Sequence, residues 1–231
     1  MPKLGIVVFG CLTIDKYRQQ IEDILYAWGR EAIQSDCLLR FYTGDILENI
    51  SEEIKSLSVD VKHDDGYQSA QFKQWKGLED IINTQCDFYY VCGSDTYLNI
   101  KNTLKALEAF DKNARLYLGD SQGYETIFGT RYPYFSGGAG FFLTYSALND
   151  LVSEIPDFVS WWMDVSSNGP PNIYTACDLQ LGILCKKLNI NTAYIKSMYG
   201  VVSYKDVDKE TLISCHPMSH EDMRNMTPSP F

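Results

Sequence analysis

None of the seven cysteines (Cys11, Cys37, Cys86, Cys92, Cys177, Cys185, Cys215) belongs to a C-x-x-C pair, so the sequence gives little support to a zinc site or a disulfide framework. Their odd number and apolar neighbours point to mostly buried, reduced thiols in a reducing compartment, with one or two disulfides as the alternative. Positive charge is in deficit, 20 Lys and Arg against 30 Asp and Glu, for a net charge of −10. That excludes a broad nucleic-acid or anionic-membrane surface, which needs a basic field. It also means that a phosphorylated ligand would draw much of its counter-charge from a divalent cation. No apolar run is long enough for a transmembrane helix. The run "LGIVVFGCL" follows Lys3 as a signal h-region would, yet no A-x-A-like cleavage site comes after it. "TIDKYRQQIEDI" leads directly into a helix, so the run reads as the first core strand. There is no G-x-x-x-x-G-K-[ST], no G-x-S-x-G, no H-E-x-x-H and no EF-hand loop, and "GGAG" is not a dinucleotide fingerprint. Histidine is scarce, with three copies.

What is present suits one large α/β domain or two small ones. The 231 residues are 45% apolar and 22% charged, as in an ordinary soluble globular protein. Tyrosine is abundant at 16 copies, a usage shared by sugar-binding surfaces and by sheets and cores. Short β-rich runs alternate with helical ones, the pattern of a mostly parallel sheet with covering helices. The strand candidates are 5–10, 37–43, 87–92, 115–119, 140–145 and 192–196, several of them apolar throughout, as strands buried on both faces are. In "SAQFKQWKGLEDII" Phe72, Trp75, Leu78 and Ile82 recur at helical spacing. "NIKNTLKALEAF" and "YSALNDLVSEI" repeat the pattern, with Ser146 as N-cap of the latter. "TACDLQLGILCKKL" is a late helix with Ile183 and Leu184 on its apolar side. The longest irregular stretches are 120–139 and 164–173, and loops of that size are usually functional.

Four features could carry chemistry. Asp95 stops the apolar run "FYYVC" and sits among Gly93, Ser94 and Thr96, which fits either a tight turn or a metal ligand at the mouth of the sheet. In "YPYFSGGAGFFLTYSAL" (132–148), three glycines in four residues bring backbone close to a ligand or to another segment. Asp178 opens the late helix, where a carboxylate commonly serves the helix dipole. His216 follows a strand-like run and precedes Pro217, as a structural histidine or a ligand.

Taken in order, "KQWKGLEDI" (73–81), residues 87–104, "RYPYFSGGAGFFLTYSAL" (131–148) and "CDLQLG" (177–182), with His216-Pro217 near the end, resemble the Fringe-like β-1,3-glycosyltransferases. That group holds Fringe, the β-1,3-galactosyltransferases and the core 1 (T-synthase) galactosyltransferases. The resemblance spans about residues 40–217; before that only the first strand and "AWG" (27–29), similar to the family's Thr-Trp, match. It implies one GT-A domain over residues 1–231, a Rossmann-like α/β/α sandwich with a mostly parallel central sheet, binding a UDP-sugar and Mn²⁺ or another divalent cation. Residue by residue, Asp95 takes the place of the metal-binding acid of D-x-D, with Ser94 beside it among the donor-binding residues. His216 takes that of the late metal-binding histidine, and Asp178 that of the general base. Gly137 and Gly138 line the donor and acceptor cleft, and Asp65, Tyr67 and Lys73 match the segment near the nucleotide. Two positions depart from the pattern: Gly93 replaces the first acid of D-x-D, and Cys177 the first of a paired acid. The implied activity is inverting transfer of a hexose or N-acetylhexosamine to a hydroxyl of a glycan or glycoprotein, β-1,3 in linkage, without nucleic acid. The alternative is an inactive relative acting as a carbohydrate-binding or chaperone-like protein, to which the two departures point. The start "MPKLGIVV" suggests a soluble cytoplasmic protein; the other reading is the soluble lumenal domain of a membrane-anchored enzyme.

Overall fold

A computed structural model of the chain describes residues 1–66, 69–120, 122–127, 129–154 and 176–226. The opening apolar run forms β1 (Leu4–Phe9), and α1 (Asp15–Ile24) continues through a π-helical turn at Leu25–Gly29 into α2 (Arg30–Gln34). Next come β2 (Leu38–Thr43), α3 (Glu52–Leu57), β3 (Ser58–Asp60) and α4 (Ala70–Ile81). The chain then runs through β4 (Phe88–Gly93), a short β5 (Tyr97–Leu98), α5 (Ile100–Leu107) and β6 (Leu116–Gly119). A hairpin of β7 (Gln122–Ile127) and β8 (Thr130–Phe135) precedes β9 (Phe141–Thr144) and α6 (Tyr145–Glu154). Last are α7 (Cys177–Lys187), β10 (Asn191–Tyr194), β11 (Met198–Tyr199), β12 (Ser214–Cys215) and α8 (His220–Asn225).

Seven strands form one sheet in the order β10-β6-β9-β4-β1-β2-β3. Every neighbouring pair is parallel except those of β9, which runs antiparallel to β4 and β6. The apolar strands alternate between two cores, since successive side chains point to opposite faces. Phe88, Tyr90 and Cys92 of β4 join the core that holds Ile21, Trp28 and Leu104 from α1, the π turn and α5. Tyr89 and Val91 join the other, with Trp75, Leu148 and Leu184 from α4, α6 and α7. The result is the α/β/α sandwich anticipated from sequence. Each fully buried large apolar side chain contributes about 1.5–3 kcal/mol, and the sheet faces bury Trp28, Trp75, Phe88, Phe141 and Phe142.

Three local expectations need correction. Residues 120–139 are not irregular, because β7 and β8 pair there with Tyr124 opposite Pro133 and Glu125 opposite Tyr132. Pro133 hides the strand in the sequence, but in a two-stranded sheet each strand has a free edge where a missing N–H costs little. Ser146 is not the cap of α6; its hydroxyl donates to the Asn113 carbonyl, while Thr144 Oγ1 accepts from the Ala147 N–H at 3.4 Å. Phe72 lies outside the α4 core face and stacks on His63, with ring centroids 4.4 Å apart. The stretch 164–173 lies outside the described residues. All seven cysteines are free, six buried and Cys177 half-buried. Among the described residues no helix is long and apolar enough to cross a membrane.

Candidate functional site

The parallel strands β1 and β4 end side by side, Phe9 opposite Gly93, and an α/β sheet binds its ligands beyond such carboxyl ends. A cleft of about 550 Å³ opens there. Asp65, Lys73, Ser94, Asp95, Gly137, Gly138, Asp178 and His216 all line it, so the sequence candidates meet in one place. Tyr67, grouped with them from sequence, lies outside the described residues.

Asp95 and His216 are joined by a second, small sheet. β5 and β12 pair antiparallel, Tyr97 opposite Cys215, which brings the residues just before β5 to those just after β12. The Met218 N–H donates to the Asp95 carbonyl at 2.9 Å and locks the crossing. His216 Nε2 stands 3.4 Å from Asp95 Oδ1, and its Nδ1 meets the Gly200 carbonyl at 3.0 Å. Burial opposes ionisation of Asp95, but the neighbouring imidazole outweighs it and holds the carboxyl below its usual range. For His216 burial disfavours the charged ring, yet Asp95 raises its proton affinity above the ordinary value.

This pair suits a divalent cation. An octahedral ion with bonds of about 2.1 Å sets adjacent ligand atoms about 3 Å apart, close to the observed 3.4 Å separation. With Nδ1 donating to a carbonyl, Nε2 presents its lone pair, the usual arrangement of a ligating histidine. Among the described residues no third His, Cys, Asp or Glu completes a cluster. The protein would thus supply two ligands and leave the remainder to substrate oxygens and water, as oxygen-loving ions at phosphate sites commonly require.

Around Asp95 the backbone is held from three directions. The buried Trp28 indole, carried by the π turn, donates to the Thr96 carbonyl at 3.1 Å, and the Thr96 hydroxyl donates to the Gly138 carbonyl at 3.0 Å. Ser94 Oγ donates to Gln20 Oε1 at 2.7 Å. The hydroxyls of Tyr90 and Ser214 both donate to the Ala139 carbonyl, at 2.7 and 2.6 Å. The glycine loop is therefore pinned by its carbonyls to β4, β12 and the turn that carries Asp95.

The glycines answer the question of close approach. A Cβ on Gly138 would lie 2.4 Å from His216 Nδ1, and one on Gly137 would lie 3.2 Å from the Asp178 Cβ. Gly140 adopts φ +76° against the Tyr90 hydroxyl. The loop approaches the site side chains themselves while lining the cleft. Gly138→Val should therefore push the imidazole off the Gly200 carbonyl, at the roughly 1–3 kcal/mol typical of overpacking. NMR of the His216 ring with a melting curve checks this; an unmoved ring signal and unchanged melting would contradict it.

Asp178 sits in the first turn of α7. Its Oδ1 accepts the Leu179 N–H at 2.8 Å and its Oδ2 accepts the Gly137 N–H at 3.0 Å. The helix-start role is thus real, and the same carboxylate also faces the cleft. Gln74 from α4 donates to the Cys177 carbonyl at 2.9 Å and fixes that turn against the sheet.

Asp65 and Lys73 form an ion pair at 2.6 Å with side chains 7% and 4% exposed. The carboxylate also accepts from Gly44 N–H and from the Thr13 N–H and hydroxyl, which ties the β1–α1 connection to the end of β2. Burial works against the charge, but these donors, Lys73 first, depress the Asp65 pKa to about 2. Since the folded value lies below the unfolded one of about 3.9, the stabilisation is complete above about pH 5 and is lost as pH falls through 2; the shift corresponds to about 2–3 kcal/mol. Asp65→Asn should be less stable at pH 7 and flatter in acid by that amount, measured by urea unfolding across pH. Equal midpoints for the two proteins at pH 7 would contradict the assignment.

The sequence missed the lip made by Gly10, Cys11, Lys16, Tyr17 and Gln20 at the β1–α1 connection. Their signal was positional, directly past the end of a core strand adjoining β4.

A family model described as Fringe-like matches residues 7–228. No curated protein matches the chain. Among solved structures, a glycosyltransferase involved in glycosylation of the major capsid of PBCV-1 is 15% identical with a TM-score of 0.51, covering 97% of this chain and 99% of its own. The glycosyltransferase GlyE of Streptococcus pneumoniae TIGR4, in its apo form, is 15% identical with a TM-score of 0.59; the match covers 96% of this chain and 56% of that one. The galactosyltransferase LgtC, in complex with donor and acceptor sugar analogs, is 12% identical with a TM-score of 0.52, over 98% and 97%. At such identities the likeness is one of fold, and the fold is that of the GT-A glycosyltransferases.

Proposed function

This chain belongs to the Fringe-like family, and on that premise we propose that it is an inverting, divalent-metal-dependent glycosyltransferase working as one GT-A domain. It moves a hexose or N-acetylhexosamine from a UDP-sugar to a hydroxyl of a glycan or glycoprotein acceptor, in β-1,3 linkage. The observation that supports this most is the meeting of Asp95, His216 and Asp178, from three distant stretches of sequence, around one cleft.

In this reading Asp95 and His216 hold Mn²⁺ or a similar ion. Such an ion supplies Lewis-acid stabilisation of the charge that develops on the leaving diphosphate. Ser94, Gly137 and Gly138 shape the donor side, and the Asp65–Lys73 pair frames it; Tyr67 joins them on sequence alone. Asp178 takes the proton of the acceptor hydroxyl as that oxygen attacks the anomeric carbon opposite the departing diphosphate, so configuration inverts. The two N–H donors on its carboxylate orient it and leave a lone pair on each oxygen for the proton.

Titration of UDP by calorimetry, with Mn²⁺ and with excess chelator, tests the donor and metal parts. UDP release from UDP-galactose, UDP-glucose and UDP-N-acetylglucosamine tests turnover. Binding strengthened by Mn²⁺ and metal-dependent UDP release are expected; no UDP binding with Mn²⁺ present would refute the reading. A second reading, an inactive carbohydrate-binding relative, draws on Gly93 in place of an acid. It predicts sugar binding without UDP release from any donor and acceptor pair.

A further inference from the structure

We infer that Lys16 is a donor-binding residue that contacts the diphosphate directly and supplies counter-charge alongside the metal. This rests on the reading of the cleft as a nucleotide-sugar site and adds to it a residue that neither the sequence motifs nor the family pattern identified.

The cleft is lined by two lysines among the described residues, and they are not equivalent. Lys73 is buried and committed to Asp65 at 2.6 Å. Lys16 is exposed and makes no hydrogen bond or ion pair with another described residue; its ammonium lies 5.5 Å from the neighbouring Tyr17 ring. Its helical neighbours three and four residues on are Gln19 and Gln20, amides that cannot neutralise it. Asp15, which could, is taken by Arg18.

Lys16 also occupies the first turn of α1, where the helix dipole favours anions and a cation is out of place. Apart from the Tyr17 ring, Lys16 has no partner among the described residues, and its charge is not neutralised by a carboxylate, so it is available to a ligand. Gly93 lines the cleft without a side chain, so that position offers no carboxylate to compete for the ammonium. Lys16 lines the same cleft as Asp95 and His216, so a diphosphate seated beside that pair shares the cleft with its ammonium.

The test is calorimetric titration of wild type, Lys16→Met and Lys16→Arg with UDP, inorganic pyrophosphate and uridine, each in Mn²⁺ and in chelator. Loss of one charge-assisted contact should weaken UDP and pyrophosphate by about tenfold or more. Lys16→Arg should restore most of it, uridine should not discriminate, and added salt should narrow the gap. The residual binding of wild type to UDP in chelator should vanish in Lys16→Met. Wild-type UDP affinity in Lys16→Met would overturn the inference and leave the glycosyltransferase reading intact. An equal loss for uridine would also overturn it, since Lys16 would then be shaping the pocket rather than holding phosphate. Failure of wild type to bind UDP even with Mn²⁺ would remove both readings.

Discussion

Asp178→Asn should lower sugar transfer by ~10²–10⁴-fold, the usual contribution of a general base, while UDP–Mn²⁺ affinity stays within a few-fold of wild type. The change is not silent for the fold. Each carboxylate oxygen accepts one backbone N–H, from Leu179 and Gly137, and an amide can offer an acceptor to one of them. Its NH₂ group must then face the other N–H, leaving a donor unmatched at a cost of about 1–3 kcal/mol. A lowered melting temperature is thus expected and does not itself argue against the base. What separates the roles is the ratio of effects. A carboxylate that merely serves the start of α7 contributes about 0.3–1 kcal/mol through the helix dipole, and losing it leaves turnover per folded molecule near normal. Initial rates normalised to the folded fraction give the answer, and near-normal transfer by the Asn variant would move the base to another carboxylate.

How much of this was legible beforehand differs from residue to residue. Asp95 could be read because a buried strand announces its own end: "FYYVC" is apolar on both faces, and Gly93 and Ser94 close it. The glycine loop could be read as a close approach, but not what it approached. Gly138 lies against His216 and Gly137 against Asp178, contacts between segments far apart in the chain. Such contacts are set by the tertiary fold and leave no periodic trace in a single sequence. His216 was open locally to a structural or a ligand reading and was singled out by the resemblance; the pairing of β12 with β5 then delivers it to Asp95. The lip residues Lys16, Tyr17 and Gln20 carry no such mark, because they look like the opening two turns of any amphipathic helix. The β7–β8 hairpin was hidden by Pro133 and by glycines that suggest loop. Asp178 was legible as a helix start and needed the fold to show that it also faces the cleft.

The two ends of β4 offer the sharpest contrast. Asp87 precedes the strand and Asp95 follows it, and both are partly buried carboxylates with nitrogen partners, Lys112 for the first and His216 for the second. Asp87 accepts from the Lys3 N–H and from Lys112, far from the cleft, so Asp87→Ala should lower stability modestly and leave UDP–Mn²⁺ binding alone. Asp95→Asn should do the opposite. Its partner His216 stands at 3.4 Å and the pair is about a third exposed, so its stability contribution falls in the range of about 0–1 kcal/mol. Yet removing one of two protein ligands should weaken the Mn²⁺-dependent part of UDP affinity by about 100-fold or more, since changes merely behind a ligand cost about 10–100-fold. His216→Ala should match it. Because both side chains serve one ion, the double variant should be scarcely worse than either single one, the non-additivity of residues that act as a unit. Two independent losses that multiply would instead mean that Asp95 and His216 contact the donor separately, and the shared-metal assignment would have to be abandoned.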